Sequence, residues 1–311
     1  MKNYHNTGGK AGFFEGWYFK HQKGDRFIML IPGVCVKAAP IGKIKYAFIQ
    51  IITNEKVCCI NYPMSDCSIA ADKLYIKIGD NIFSRNGIRL NILSGDIRIK
   101  GGVRYGSLSP IRYPVMGIFR FVPRMECNHE IISMHHELYG RLTVNGEAWI
   151  FDEGNGYLEK DWGHSFPKSY IWLQCNSFSG AKCAVTVSIA RIPFFGSSFQ
   201  GCIGIIHYGG MEYRFATYLG VKIITCGTRE IQLRQGRYLF RVKFGNDTGL
   251  PEEDVIPGKG GLYYQLLAPS RGAMSRMIYE QNFCTAHFEL FEGSRLVFDL
   301  TSDKTSLEIA R

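Results

Sequence analysis

Several common signatures are missing from this 311-residue sequence. No apolar run approaches the roughly 18–20 residues that a membrane-crossing helix needs. The opening Met1-Lys2-Asn3-Tyr4-His5-Asn6 has no apolar centre and does not read as a secretory leader. The expected location is therefore cytoplasmic, and the ten cysteines are expected to be reduced thiols. No C-x-x-C occurs, the adjacent Cys58 and Cys59 would be strained as a pair, and Cys175 and Cys183 sit inside apolar runs. A disulfide framework and a structural zinc thus lack support. There is no G-x-G-x-x-G, no Walker loop and no helical H-E-x-x-H, which removes the usual signals for nucleotide binding and zinc proteolysis. The absence of a G-x-S-x-G elbow argues against an α/β-hydrolase. Helical periodicity is scarce too: residues 273–281 offer one short helix, without a 3.6-residue stripe.

Glycine and aromatic residues are plentiful. The chain has 35 Gly and 14% aromatics, a mixture suited to short strands joined by tight turns. Hydrophobic residues at 46% and charged residues at 21% are ordinary for a globular chain and exclude wholesale disorder. Ile88, Leu90 and Ile92 alternate with Arg89 and Asn91, as strand parity requires. Gly79-Asp80, Asn86-Gly87, Gly95-Asp96, Asn145-Gly146, Gly209-Gly210 and Gln235-Gly236 supply the positive φ of hairpin turns. Glu292-Gly293-Ser294 joins the last two runs. The fold class expected is all-β, built of antiparallel sandwiches or barrels. The formal charge of +10 is spread thinly, through Lys43, Lys45, Arg98, Lys100, Arg229 and Arg234 among others. Such diffuse charge predicts no nucleic-acid partner and leaves peripheral contact with an anionic membrane open.

The length suggests two domains or one large one. Gly12-Phe13-Phe14-Glu15-Gly16-Trp17 is echoed by Gly156-Tyr157-Leu158-Glu159-Lys160-Asp161-Trp162, 144 residues later. This echo predicts a tandem repeat, with β-domains over 1–154 and 155–311 and a junction at Asp152–Gly156.

The richest polar segment runs from Tyr157 to Asn176. Parity places Tyr170, Trp172, Gln174 and Asn176 on one face of a strand, and Ile171, Leu173 and Cys175 on the other. The first face is either the aromatic and amide lining of a ligand cavity or a solvent-exposed surface. Glu159 and Asp161 share parity and form a candidate carboxylate pair, one of them a general acid; Lys160 points the other way. His129, His135, His136 and Glu137 invite a metal reading, but adjacent histidines on a strand face opposite ways, so no metal site is expected. His129 and His136 read instead as the polar end of a cavity or as strand hydrogen-bonding groups.

Phe14-Glu15-Gly16-Trp17-Tyr18-Phe19-Lys20 and Glu159 through Pro167, continuing to Gln174-Cys175-Asn176, resemble the tocopherol cyclase family, especially its bacterial members. The resemblance implies two tandem lipocalin-like β-domains, akin to the carotenoid hydratase and AttH-like proteins. It also implies an intramolecular cyclase, of the isomerase class, that needs no organic cofactor. Such an enzyme protonates the alkene of a prenylated quinol, and the phenol oxygen then closes a chromanol-type ring. The ligand expected is thus a hydrophobic prenylated aromatic or isoprenoid. Glu159 or Asp161 would be the acid and His164 a proton acceptor. Trp17, Trp162 and Trp172 would be walls, with Tyr170 beside them, Glu15 in the matching motif, and Gln174 and Asn176 orienting the ring oxygens. In the plant members an Asn is expected in place of Asp161 and a Gly in place of His164, which turns the choice of acid toward Glu159. A non-catalytic carrier and an isoprenoid hydratase are the competing expectations.

Overall fold

The computed structural model describes residues 4–5, 10–122, 125–194, 197–245 and 263–310. Strand makes up 71% of the chain, and no α-helix occurs among the described residues. The first sheet comprises β1 (Phe13–Lys23), β2 (Arg26–Ala38), β3 (Lys43–Thr53), β4 (Val57–Pro63), β5 (Cys67–Ile69), β6 (Tyr75–Ile78), β7 (Asn81–Ser84), β8 (Gly87–Ser94), β9 (Ile97–Tyr105), β10 (Cys127–Val144), β11 (Glu147–Ile150) and β12 (Gly154–Gly163). Their order is β4-β3-β2-β1-β12-β10-β9-β8-β7-β6-β5, with β11 beside β10. The second sheet comprises β13 (Tyr170–Cys175), β14 (Cys183–Phe194), β15 (Ser197–Tyr208), β16 (Met211–Ala216), β17 (Lys222–Cys226), β18 (Glu230–Gln235), β19 (Tyr238–Phe244), β20 (Tyr263–Ser270), β21 (Ala273–Glu292) and β22 (Arg295–Ala310). It runs β16-β15-β14-β13-β22-β21-β19-β18-β17, with β20 on β21. This is the all-β, two-domain lipocalin-like class that the sequence implies.

The turn chemistry explains why the sequence folds into meanders. Asn145 and Gly146, at φ 50° and 91°, join β10 to β11 with both central residues left-handed, which matches the twist of the flanking strands. The other Gly-containing dipeptides fall between β6 and β7, β7 and β8, β8 and β9, β15 and β16, and β18 and β19. Residues 273–281, the candidate helix, are instead the start of the long strand β21. There Tyr279 pairs with Ile309 and Gln281 with Leu307, and buried Ile278 and Glu280 share one parity. Tertiary pairing overrides the weak helical preference of that stretch. All ten cysteines are free thiols.

Two compact units result. The first holds residues 1–110, 123–166 and 267–277; the second holds 111–122, 167–266 and 278–311. The strand that begins at Gly154 pairs with β1 and β10, so the first unit continues to Phe166, past the expected junction. This register also corrects the repeat. The two similar motifs are hydrogen-bonded neighbours in one sheet, Trp17 opposite Lys160 and Tyr18 opposite Glu159, not matching strands of two domains.

Each unit has an apolar core on one face of its sheet. In the first, Trp17, Phe19, Leu30, Ile49, Leu138 and Leu158 meet; in the second, Leu173, Val187, Ile206, Phe240, Phe288 and Leu307 do. On the other face of the first sheet, Gly16 pairs with Gly33, and the Phe48 ring covers both strands. A Cβ at Gly33 would lie 2.5 Å from Phe48 Cζ and 2.7 Å from the Glu15 carbonyl oxygen. Gly33→Ala should therefore lower stability by about 1–3 kcal/mol through overpacking, read as a lower urea midpoint. An unchanged midpoint would mean that the Phe48 ring and the Glu15 backbone both give way at no cost.

Candidate active site

β12 lies between β1 and β10, so its alternating side chains meet partners from both neighbours. Tyr157, Glu159 and Asp161 share one face; Leu158, Lys160 and Trp162 share the other. In β10, His129 stands directly opposite Asp161 and therefore projects onto the carboxylate face.

There the imidazole sits between the two acids. His129 Nδ1 is 2.8 Å from Asp161 Oδ1, and Nε2 is 3.5 Å from Glu159 Oε2. The Tyr157 hydroxyl donates to Glu159 Oε2 at 2.6 Å. Burial by itself would drive the proton off His129, but the fields of Glu159 and Asp161 and the Asp161 hydrogen bond outweigh it and lift its pKa to about 9. At neutral pH the cluster is an imidazolium held by two acceptors. The three side chains also offer one ligand atom each within 4.8 Å of one another, a span that fits a single cation. This donor set differs from the one weighed in the sequence, because β10 turns His135 and His136 elsewhere. His135 Nε2 meets Asn155 Oδ1 at 2.9 Å. Tyr18 lies on the carboxylate face, opposite Glu159, its ring edge-on to Tyr157 at 6.3 Å.

The opposite face of β12 carries a second charged cluster. Lys160 Nζ lies 2.7 Å from Glu15 Oε1, with both side chains buried. The same ammonium stands 5.3 Å from the Trp17 ring and 4.9 Å from the Trp162 ring, where the π faces attract a desolvated cation. His5 stacks on Trp162 at 4.3 Å, and its backbone N–H donates to Glu15 Oε2 at 2.9 Å. Trp17 and Trp162 therefore lie across the sheet from Glu159 and Asp161. They wall a lysine instead of the acid, which corrects the expectation; the aromatics on the acid's own face include Tyr18 and Tyr157.

Farther along that core-facing side, His21 Nδ1–H donates to the Ile28 carbonyl at 3.3 Å, so Nε2 accepts from the Tyr105 hydroxyl at 2.7 Å. His136 rests against Tyr105 with ring centroids 4.4 Å apart and bonds Ser133 Oγ at 3.1 Å. Its ring fits only because residue 156 is glycine: a Cβ there would be 2.2 Å from Nε2. Burial lowers the pKa of His21 to about 4 and of His136 to about 3. His164, the expected proton acceptor, is exposed, with Nδ1 2.6 Å from the Gly12 carbonyl oxygen. His129 occupies the place against the acids that the sequence reading gave to His164.

A family model described as "Tocopherol cyclase-like" matches residues 84–310. The chain belongs to the tocopherol cyclase-like family. It is 26% identical over 218 residues to "Tocopherol cyclase, chloroplastic" of Zea mays, covering 66% of this chain and 44% of that one. It is 37% identical over 86 residues to "Probable tocopherol cyclase, chloroplastic" of Oryza sativa subsp. japonica, covering 26% of this chain and 18% of that one. This chain thus spans less than half the length of these curated relatives. Among solved structures, an AttH-like protein from Nitrosomonas europaea aligns over 96% of this chain and 91% of its own, with a TM-score of 0.51 at 11% identity, a likeness of fold alone. His129, Glu159 and Asp161 lie inside the part matched by the tocopherol cyclase-like model; Glu15 and Trp17 lie before it.

The second unit of this tocopherol cyclase-like chain holds the remaining expected residues. Tyr170, Trp172, Gln174 and Asn176 are all buried, which removes the solvent-exposed reading of that face. Leu173 and Cys175 point into the apolar core, as parity requires. Trp172 stands opposite Glu308, whose carboxylate accepts from the Tyr170 hydroxyl. Gln174 stands opposite Ser306, which donates to Asn282 Oδ1. Tyr157, Tyr18, Lys160 and Tyr105 in the first unit, and Glu308 beside Tyr170 in the second, are neighbours that the sequence reading left without a role. Their parity was readable, but which strand lies beside which was not.

His129 and the buried pair His21 and His136 set opposite pH limits on stability. His129 is raised from 6.5 to about 9, so its contribution is complete below pH 6.5 and is lost as pH climbs through 9. His21 and His136 are lowered from 6.5, so theirs is present above pH 6.5 and drains as pH falls toward about 4 and 3. Thermal melts should peak near neutrality, each limb changing by up to about 1.4 kcal/mol per pH unit per group. His129→Gln should flatten only the alkaline limb, and His136→Gln should weaken the acid one. A wild-type curve level from about pH 7 to 9 would contradict the His129 assignment.

Proposed function

We propose that this chain is a cofactor-independent cyclase that closes a chromanol-type ring on a prenylated quinol, with the His129–Glu159–Asp161 cluster handling the proton. The observation that carries this reading is the half-buried imidazolium clasped by two carboxylates on one face of β12. Membership of the tocopherol cyclase-like family supports an enzyme of cyclase type.

The reaction balances without redox change. Glu159, in its protonated form, gives its proton to the less substituted alkene carbon, leaving a tertiary carbocation on the prenyl tail. The phenol oxygen attacks that carbon, the new C–O bond closes the ring, and the phenolic proton returns to the cluster. Product and substrate are isomers. The reactive form has taken up one proton more than the resting imidazolium between two carboxylates: protonated Glu159, ionised Asp161 and cationic His129 sum to zero, and after transfer the cluster returns to one negative charge. That charge arises as the substrate becomes positive, and a fixed, partly dehydrated counter-ion stabilises the transition state most. His129 and the Tyr157 hydroxyl hold the Glu159 carboxylate once it is ionised, while Asp161 orients His129. The aromatic edges of Tyr18 and Tyr157 add apolar surface for the tail.

Incubation with prenylated hydroquinones, followed by chromatography and mass spectrometry, tests the reading. A cyclised product keeps the substrate mass and shifts in retention. Glu159→Gln should cut turnover by about 10²–10⁴-fold, with His129→Gln and Asp161→Asn falling less. A product heavier by one water would mark a hydratase instead. Tight binding without turnover across the panel would mark a carrier, and full activity in both carboxylate variants would reject the cluster as the proton source.

A further inference from the structure

The segment 111–122, Ile-Arg-Tyr-Pro-Val-Met-Gly-Ile-Phe-Arg-Phe-Val, combines large apolar residues with two arginines and no acid. It belongs to the second unit and forms a 3₁₀ turn over Gly117–Phe121. In a 3₁₀ turn, residues three apart eclipse one another, so Ile118 and Phe121 project together. They are 65% and 73% exposed. Phe119, between them, points inward and packs on Phe199 and Tyr218 with ring centroids 6.1 and 6.0 Å away.

The turn is anchored, so the exposure is not that of a frayed loop. The Tyr218 hydroxyl donates to the Val115 carbonyl at 2.9 Å. Arg214 lies 3.4 Å above the Tyr113 ring and donates to the Tyr113 carbonyl at 2.6 Å. The Arg112 backbone N–H donates to Glu212 Oε2 at 2.8 Å. Beside it the 3₁₀ turn Thr217–Leu219 exposes Leu219 as well.

The exposed charge on the segments that form this patch is cationic. Residues 111–122, 191–194, 197–201 and 217–224 contribute Arg112, Arg120, Arg191 and Lys222, all exposed, and no Asp or Glu; the adjoining Glu212 is covered and held by Arg214 and His207. The Arg120 guanidinium lies 4.5 Å from the Phe121 ring. Two anchored, exposed apolar side chains with Arg120 beside Phe121 and further exposed cations on the adjoining segments match a bilayer carrying anionic headgroups: the side chains enter the acyl boundary while the cations stay at the phosphates. We propose that this face of the second unit docks on an anionic lipid membrane, with Ile118 and Phe121 as the inserted residues. The inference rests on the patch alone and stands whether or not the chain is a cyclase.

The test is co-sedimentation of the full chain with vesicles of phosphatidylcholine containing phosphatidylglycerol, and with phosphatidylcholine alone. The wild type should bind the anionic vesicles, more weakly at high salt, and bind the neutral ones at least about tenfold less. The double variant I118S/F121S should lose roughly tenfold or more in partitioning, with an unchanged melting transition. Should that variant fold poorly, Phe121→Gln alone should show a smaller loss in the same direction. Absence of wild-type binding to anionic vesicles would overturn the proposal. So would binding that both variants retain, or a dimer abolished by I118S/F121S in a chain that ignores vesicles.

Discussion

The central constraint in the first unit is the double pairing of β12. Its backbone bonds β1 on one side and β10 on the other, and that ladder decides which side chains are neighbours. Because strand side chains alternate, a slip of one residue would send every group to the opposite face. His129 would leave the carboxylates and Lys160 would lose Glu15. The register is pinned by apolar anchors on the core side, Trp17, Phe19 and Leu158, whose exposure would cost several kcal/mol together. Hydrophobic burial thus fixes the polar geometry.

One strand consequently separates two kinds of buried ionic structure. On one face buried Glu15 and Lys160 pair beside two indole rings, with the His5 ring against both; removing either charged partner would strand the other as a buried charge, the costly outcome. On the other face one cation serves two acids, so a negative charge is left over whenever both are ionised. On the carboxylate face one site among the three can change occupancy without leaving an isolated ion.

The β class was legible because its signals are local: alternation within strands and glycine dipeptides that hairpins require, such as Asn145-Gly146. The opposed faces of Tyr170–Asn176 were legible for the same reason. Adjacency was not. Nothing local to Trp17 states that Lys160 will lie beside it, and the likeness of the two aromatic–glutamate motifs suggested separate domains when the strands are partners. His129 was visible only as one of several polar residues, because its place between Glu159 and Asp161 depends on a pairing between positions 32 residues apart. Residues 273–281 misled through weak helical propensity, which long-range pairing overrides.

The exchange of segments between the two units has a consequence for synthesis. Residues 267–277 belong to the first unit, yet they are made after residues 167–266 of the second. At about 5–20 residues per second, the ribosome spends on the order of 5–20 s on those intervening 100 positions. During that interval the first unit waits for its last piece while most of the second has already emerged. The usual order, in which an N-terminal unit finishes before its successor begins, is closed to this chain. The first unit is completed from downstream.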